Sequence, residues 1–162
     1  MNIAKALKEW RESRGLTCEM QQAGYANNVQ EELLEAESSI TNLELVDAIC
    51  DIAILTLNCI DNYKIEDLIY PVKDTTPYRF YEDITFILES DFHISQISNL
   101  LSHLNHYTEG MGYDFIKCLE ETIKEISSRS GEYDPDTKKW VKDTSKEAKA
   151  KWYKANYELA RI

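Results

Sequence analysis

The segment from Leu45 to Ile60 is apolar almost all the way around a helix. A helix without a polar face is typical of a core position, so this segment predicts the central helix of the fold. Its polar exceptions are few and fall close to one stripe along the helix. They are Glu44, Asp47, Asp51 and Asn58.

Helices are predicted for most of the remaining chain. Only 5 Gly and 3 Pro interrupt its 162 residues, and no strand-like alternation of convincing length is present. Thr41 and Glu44 form a capping-box pattern at the start of the central helix. The helices are predicted at residues 2–14, 24–38, 41–62, 79–90, 94–107 and 114–128.

Two segments are predicted to lack long helices. Residues 65–77 contain Pro71 and Pro77 and indicate an irregular connection, and residues 131–143 resemble turns. Residues 144–162 fit either a short helix or an extended arm. The sequence therefore predicts one all-α domain over residues 1–162, a helical bundle with a four-helix core around an acidic helical hairpin. Its core covers about residues 1–128, and its irregular or short-helical tail covers 129–162.

The charge of the chain is unevenly distributed. The formal net charge is −11, which argues against nonspecific binding to nucleic acid or to an anionic membrane surface. Residues 1–128 hold 9 basic and 23 acidic side chains, whereas residues 129–162 hold 9 basic and 6 acidic ones. We therefore expect the tail to fold back onto the acidic body or to reach a neighbouring subunit.

The sequence contains no apolar run of the roughly 20 residues that cross a bilayer, and no secretory leader pattern. We therefore expect a cytoplasmic protein. The cysteines show no CxxC spacing, and we expect them to be reduced and buried. They are Cys18, Cys50, Cys59 and Cys118.

Two acidic pairs are placed symmetrically around the break near residues 39–40. Glu32 and Glu35 are three residues apart, as are Glu44 and Asp47, so each pair lies on one helix face. In an antiparallel hairpin, residues equidistant from the turn face each other. The predicted facing pairs are Glu35 with Glu44, Glu32 with Asp47, and Asn28 with Asp51.

Carboxylates that converge beside an apolar helix require a cation, because buried like charges repel by roughly 4 kcal/mol at ~4 Å. No Lys or Arg occurs between residues 15 and 63, so the local sequence offers no partner. Carboxylate ligands without His or Cys suit Mg²⁺, or Mn²⁺ in its place. An ExxE or ExxD pair alone is usually a solvated surface, and here the mirror placement favours a metal site.

These residues resemble the signature of the MazG-like nucleoside triphosphate pyrophosphohydrolases, an all-α superfamily. The signature EExxE, a spacer and ExxD stands here as Glu31-Glu32-Leu33-Leu34-Glu35, eight residues, and Glu44-Leu45-Val46-Asp47. The short spacer and the C-terminal part are similar to those of phage-type members, which would place the protein in a host cytoplasm. The resemblance covers about half of the chain, and residues 65–109 match no known pattern.

The resemblance implies hydrolysis of a (deoxy)nucleoside triphosphate, such as dGTP or dATP, to a monophosphate and pyrophosphate for nucleotide-pool control. It also implies a homodimer or homotetramer. By position, Glu32, Glu35, Glu44 and Asp47 would hold Mg²⁺. Asp51 lies on the same stripe and would hold a second ion or a metal-bound water. Glu35 or Glu31 would take the proton of the attacking water.

Substrate contacts are predicted from residue type. Lys117 and Lys124 share a helix face and are the first candidates for the phosphates, followed by Arg129 and tail lysines such as Lys142. Solvated surface lysines are an equally good interpretation. A stacking surface for the base requires an aromatic ring, although most aromatics at helical spacing belong to the core. The aromatic candidates are Tyr113, Phe115, Trp140, Trp152, Tyr153 and Tyr25. Asn28, on the same hairpin, is a further candidate for a substrate contact.

Two other interpretations stay open. His103 and His106 are three residues apart, and a surface pair is a better interpretation than a metal site because no acid falls at a matching position. The protein as a whole could instead be a non-catalytic helical interaction module. Its acidic hairpin would then bind a structural cation or a basic partner without turnover.

Overall fold

The computed structural model describes residues 1–73, 76 and 78–162. This part of the chain is mostly helical, at 63%, with a small two-stranded sheet. The part of the predicted irregular connection at residues 74, 75 and 77 lies outside the described residues. The α-helices are α1 (Ile3–Glu12), α2 (Cys18–Ser38), α3 (Asn42–Leu57), α4 (Ile65–Leu68), α5 (Tyr78–Glu89), α6 (Ile94–Gly110), α7 (Phe115–Ser127) and α8 (Lys146–Lys149).

The helix α3 lies at the centre of the core, as its all-round apolar sequence predicts. It packs against α2, α6 and α7. Burying each aliphatic side chain of this size contributes about 1.5–3 kcal/mol, so α3 supplies much of the hydrophobic stabilisation. Its fully buried side chains include Val46, Ile49, Ile52, Ala53 and Leu57.

The helices α2 and α3 form an antiparallel pair joined by residues 39–41. The Tyr25 hydroxyl hydrogen-bonds the Thr56 hydroxyl at 2.9 Å, and Gln22 donates to the Cys59 carbonyl at 2.8 Å. Both contacts lie equidistant from a point between residues 40 and 41, about one residue later than the sequence pattern predicts. The Asp47 carboxylate is one of the charges that act on Glu32.

Local sequence signals define the helix ends. Thr41 accepts a hydrogen bond from the Glu44 backbone N–H, and the Glu44 carboxylate accepts from the Thr41 N–H, which confirms the predicted capping box. Asp114 caps α7 as predicted, with its side chain accepting from Lys117 N–H at 3.0 Å. The helix α2 begins at Cys18, earlier than predicted, because Thr17 caps it by accepting from Met20 N–H.

The helices α5 and α6 pack together through a buried polar pair. His103 Nδ1 hydrogen-bonds the Asp83 carboxylate, and the two residues are only 7% and 3% exposed. Interpreting His103 as one of a surface pair is therefore wrong. The acid partner comes from another helix, and a search for acids near His103 in the sequence misses it.

Residues 131–142 form an antiparallel hairpin, although the sequence analysis predicts only turns there. Its strands are β1 (Gly131–Asp134) and β2 (Lys139–Lys142), and a turn at residues 135–138 joins them. Trp140 packs edge-on against Trp10 of α1, with the ring centroids 5.9 Å apart. Arg14 lies over both rings, at 4.7 and 5.1 Å from their centroids.

The tail after the hairpin folds back onto the same chain, which is one of the two arrangements expected from its charge. It contains α8 and a 3-10 helix at Tyr157–Ala160. Asp114 N–H donates to the Ala160 carbonyl at 2.7 Å, and Ile162 N–H donates to the Gly112 carbonyl at 3.1 Å. The end of the chain is thereby fixed beside the start of α7.

No helix among residues 1–73 and 78–162 is long and apolar enough to cross a membrane. All four cysteines are free thiols, as expected. Cys50, Cys59 and Cys118 are buried, whereas Cys18 is only partly buried.

The hairpin approaches α2 so closely that only glycine fits at residue 24. A Cβ atom at Gly24 would lie 2.2 Å from the Lys138 carbonyl oxygen. We therefore expect Gly24→Ala to displace the hairpin tip and to lower the free energy of unfolding by about 1–3 kcal/mol in urea denaturation. Gly110→Ala is the matched control, because a Cβ there meets no atom within 4 Å. An equal effect of both substitutions would contradict this close-packing account.

Candidate acidic site

The α2 side of the site contains a buried carboxylate oxygen. Glu32 Oε2 is buried and has no hydrogen-bond partner among the described residues. Burial raises the pKa of Glu32 to about 7, and the nearby Glu35 carboxylate acts in the same direction. Glu35 itself is exposed, and Glu31 is exposed and pairs with Lys139 of the hairpin. A solvent-protected carboxylate of this kind requires a proton or a cation.

The α3 side adds Asp47 and Asp51, which are both partly buried. Burial holds the pKa of the Asp51 carboxyl well above its usual range, and the charges of Glu32 and Asp47 raise it further. The structure thus brings Glu32, Asp47 and Asp51 within electrostatic range of one another. All three residues belong to the set predicted to hold the metal.

Glu44 has a structural role in this site. Its Oε2 atom accepts hydrogen bonds from the backbone N–H groups of Ile40 and Thr41, at 2.7 and 3.0 Å. These two donors lower the pKa of Glu44 from its ordinary value. The predicted role of Glu44 as a metal ligand therefore competes with its capping of α3.

The helix α7 contributes two buried acids that the sequence analysis does not identify. Glu125 pairs with Arg129, and its Oε2 atom accepts from the Ala155 backbone N–H at 2.6 Å. Glu121 pairs with Lys124 and accepts from the Asn156 backbone N–H at 3.1 Å. Glu125 also adds to the charge around Asp51.

The tail covers Asp47 with two side chains. The Tyr157 hydroxyl donates to Asp47 Oδ1 at 2.6 Å and lies 3.0 Å from the Thr122 hydroxyl. Lys154 Nζ lies 3.6 Å from Asp47 Oδ2 and 3.8 Å from Glu125 Oε2. The cation beside Asp47 is thus supplied by a residue more than 100 positions away in the sequence.

A cavity of about 220 Å³ opens between the start of α3 and the tail. Glu44 and Asp47 form one wall, and residues 154–158 form the other. Pockets for small molecules usually measure about 300–1,000 Å³. Lys154, whose side chain is 74% exposed, is one of the charged groups that line this cavity.

The lysines predicted to bind phosphate pair with acids of their own helix. Lys117 Nζ lies 3.6 Å from Asp114, and Lys124 pairs with Glu121. Neither lysine forms an ion pair with an acid of α2 or α3 in the part of the chain that the structure describes. Arg129 lies nearer to the acidic residues, because it pairs with Glu125 and lowers the pKa of Asp51.

The remaining predicted substrate residues are held by the fold. Tyr113 is 1% exposed in the core, so its ring offers no open stacking face, and Arg161 lies 5.0 Å from its centroid. Asn28 donates to the Lys138 carbonyl at 3.4 Å and thus contacts the hairpin. Phe115 and Tyr25 are equally buried, at 1% each.

The other aromatic candidates lie on or near the hairpin and tail. Trp140 packs on Trp10, and Trp152 lies beneath the Arg129 guanidinium at 5.2 Å. Tyr153 is exposed, and its hydroxyl donates to Glu121. Trp152 and Tyr153 are thus the predicted aromatic residues next to the acids of α7.

A sequence signal exists for some of the missed residues. Glu121 and Glu125 are four apart, on the same face of α7 as the apolar side chains that pack into the core. Acids on an apolar helix face require a partner, so the position of Glu121 and Glu125 on that face is the sequence signal that identifies them. Lys154 and Tyr157 give no such signal, because Lys154 lies outside the helices and Tyr157 begins a 3-10 helix of only four residues.

The donor set fits a hard divalent cation in its chemistry. It consists of carboxylates without His or Cys, and it includes the unpartnered Oε2 atom of Glu32. The carboxylates are not preassembled: among the described residues, no three His, Cys, Asp or Glu side chains form a ready ligand cluster. Metal binding therefore requires side-chain rearrangement around Asp47, whose oxygens are held by Tyr157 and Lys154.

Comparison of the chain with protein-family models, with curated proteins and with solved structures finds no match.

Proposed function

We propose that the protein is a Mg²⁺-dependent nucleoside triphosphate pyrophosphohydrolase. The observation that carries the proposal is the grouping of Glu32, Asp47 and Asp51, with an unpartnered buried oxygen on Glu32. Burying several carboxylates is unfavourable without a cation, and proteins retain such arrangements mainly at functional sites. The resemblance of residues 31–47 to the MazG-like signature supplies the reaction class.

We propose a four-helix core in which the α2–α3 pair carries the acids of the site, and each acid has a proposed role. Glu32, Asp47 and Asp51 hold Mg²⁺, and Glu35 completes the ligand set or accepts a proton from the attacking water. Glu35 suits the second task better than Glu31, because Glu31 pairs with Lys139. A divalent cation held by these acids would supply the Lewis acidity that activates a water molecule and neutralises phosphate charge.

Cations of the tail and of α7 are proposed to bind the phosphates. Arg129 and Lys154 lie beside the acids, whereas Lys117 and Lys124 pair elsewhere. A guanidinium and a flexible ammonium can both neutralise phosphate oxygens. Trp152 lies beneath Arg129 and is the aromatic residue best placed to contact the nucleoside.

Subunit association is also part of the proposal. The turn between α2 and α3 exposes large apolar side chains, and such patches on a soluble fold often mark subunit contacts. We propose a homodimer or homotetramer formed at this end of the molecule. The exposed side chains are Leu34 at 54%, Ile40 at 91% and Leu43 at 40%.

The experiment measures pyrophosphate release from the eight common NTPs and dNTPs, with Mg²⁺ and with EDTA. We expect Mg²⁺-dependent release, with dGTP or dATP among the best substrates, and a loss of about 100-fold or more in Glu35→Gln. Glu109→Gln is the control, because Glu109 is an exposed acid of α6. Folded protein that binds Mg²⁺ without releasing pyrophosphate would refute the enzyme and favour the interaction module.

A further inference from the structure

The Lys154 ammonium lies between two carboxylates of the acidic site. It is 3.6 Å from Asp47 Oδ2 and 3.8 Å from Glu125 Oε2, and its side chain is 74% exposed. Asp47 is partly buried, and Glu125 is buried. The lysine therefore places a cation beside Asp47 of α3, a helix that contains no basic residue, and beside Glu125 of α7.

The backbone that carries Lys154 is fixed on both sides. Ala155 N–H donates to Glu125 at 2.6 Å, and Asn156 N–H donates to Glu121 at 3.1 Å. On the other side, Tyr153 N–H donates to the Ser128 hydroxyl at 2.8 Å. The position of the Lys154 Cα atom is thus defined by the fold, while its long exposed side chain keeps rotational freedom.

From this placement we propose that Lys154 is an internal counter-ion that competes with the divalent cation at Asp47 and is released to bind substrate phosphate when the cation binds. The inference rests on the proposed function for the identity of the phosphate ligand. The competition between Lys154 and the divalent cation does not rest on that function. It depends only on the ion pairs of Lys154 and on a cation that binds Asp47.

Electrostatics gives the direction of the exchange. A divalent cation at Asp47 neutralises the carboxylate that attracts Lys154 and repels the ammonium at short range. The side chain then loses its partner next to the 220 Å³ cavity that it partly closes. Its departure enlarges that cavity and leaves a positive charge at the rim, where an anionic phosphate chain would lie.

The proposal predicts opposite effects of one substitution on two ligands. In Lys154→Met, Mg²⁺ alone should bind about fivefold more tightly by isothermal titration calorimetry, because no ammonium has to be displaced. Inorganic triphosphate should bind the Mg²⁺-saturated variant about tenfold more weakly, because the phosphate contact is lost. The matched control is Lys151→Met, which removes an exposed lysine that forms no ion pair with a described residue.

The outcomes separate this inference from the proposed function. Tighter Mg²⁺ binding together with weaker triphosphate binding supports it, even if no nucleotide is hydrolysed. Unchanged or weaker Mg²⁺ binding in Lys154→Met overturns the competition, even if the wild type is an active pyrophosphohydrolase. Equal triphosphate affinity of the variant and the wild type overturns the release to phosphate, and a wild type that binds no Mg²⁺ overturns the whole proposal.

Discussion

Glu32→Gln is expected to abolish Mg²⁺ binding and to lower pyrophosphate release by about 100-fold or more, while making the metal-free protein more stable. Glu32 presents a buried oxygen without a hydrogen-bond partner among the described residues, and its pKa is raised to about 7. At pH 8 the folded protein therefore holds a poorly solvated charge beside Glu35 and Asp51. The amide of Gln keeps the shape of the side chain and removes that charge.

The stability change should be measured by urea denaturation at pH 8 in EDTA. We expect the free energy of unfolding to rise by about 1–2 kcal/mol, because a like-charged, unpaired carboxylate is removed. Glu37→Gln is a useful comparison on the same helix, since Glu37 is exposed and accepts a hydrogen bond from Tyr81 at 2.7 Å. A Glu32→Gln protein that is less stable and still binds Mg²⁺ would show that Glu32 is a structural acid.

Opposite effects on activity and stability distinguish a functional acid from a packing residue. Neutralising a carboxylate that only supports the fold lowers the free energy of unfolding of the protein. We expect this for Glu44, whose carboxylate accepts a backbone hydrogen bond at the start of α3. A carboxylate kept for a cation is destabilising until the cation arrives. The two acids belong to the same signature, yet the structure assigns them different local environments.

Local signals in the sequence predict the helical elements well. The capping box of Thr41 and Glu44 involves residues three apart, and the apolar run of α3 reflects burial on all sides. Both features depend on neighbours along the chain, so a single sequence contains them. The start of α2 is the exception. Gly24 resembles a helix boundary in the sequence, but it lies inside α2. A glycine is needed there because the hairpin approaches so closely that a Cβ atom does not fit.

Long-range contacts explain what the sequence analysis does not predict. The hairpin strands have four residues each and are held by the packing of Trp140 on Trp10, so strand alternation is too short to identify. Tyr157 reaches Asp47 across 110 residues of chain. The spacing of residues along α2 and α3 predicts the acids of the site. The cations beside them depend on the path of the tail, which the sequence pattern does not predict.

The second large effect is expected outside the acidic site, at the buried pair between α5 and α6. Asp83→Leu should lower the free energy of unfolding by about 3 kcal/mol, because it leaves the buried His103 ring without its acceptor. The double variant Asp83→Leu/His103→Leu should recover most of this loss, since two apolar side chains can fill the same space. Urea denaturation of both single variants and the double variant gives the coupling energy.

A neighbouring residue provides the control for this cycle. Glu82→Leu removes an exposed acid that pairs with Arg79 at 2.8 Å, and it should change the free energy of unfolding by less than about 1 kcal/mol. A loss in the double variant equal to the sum of the losses in Asp83→Leu and His103→Leu would mean that the pair contributes no coupling. Recovery in the double variant would instead show that each of the two residues serves mainly to satisfy the other, and that apolar packing between α5 and α6 can replace the pair.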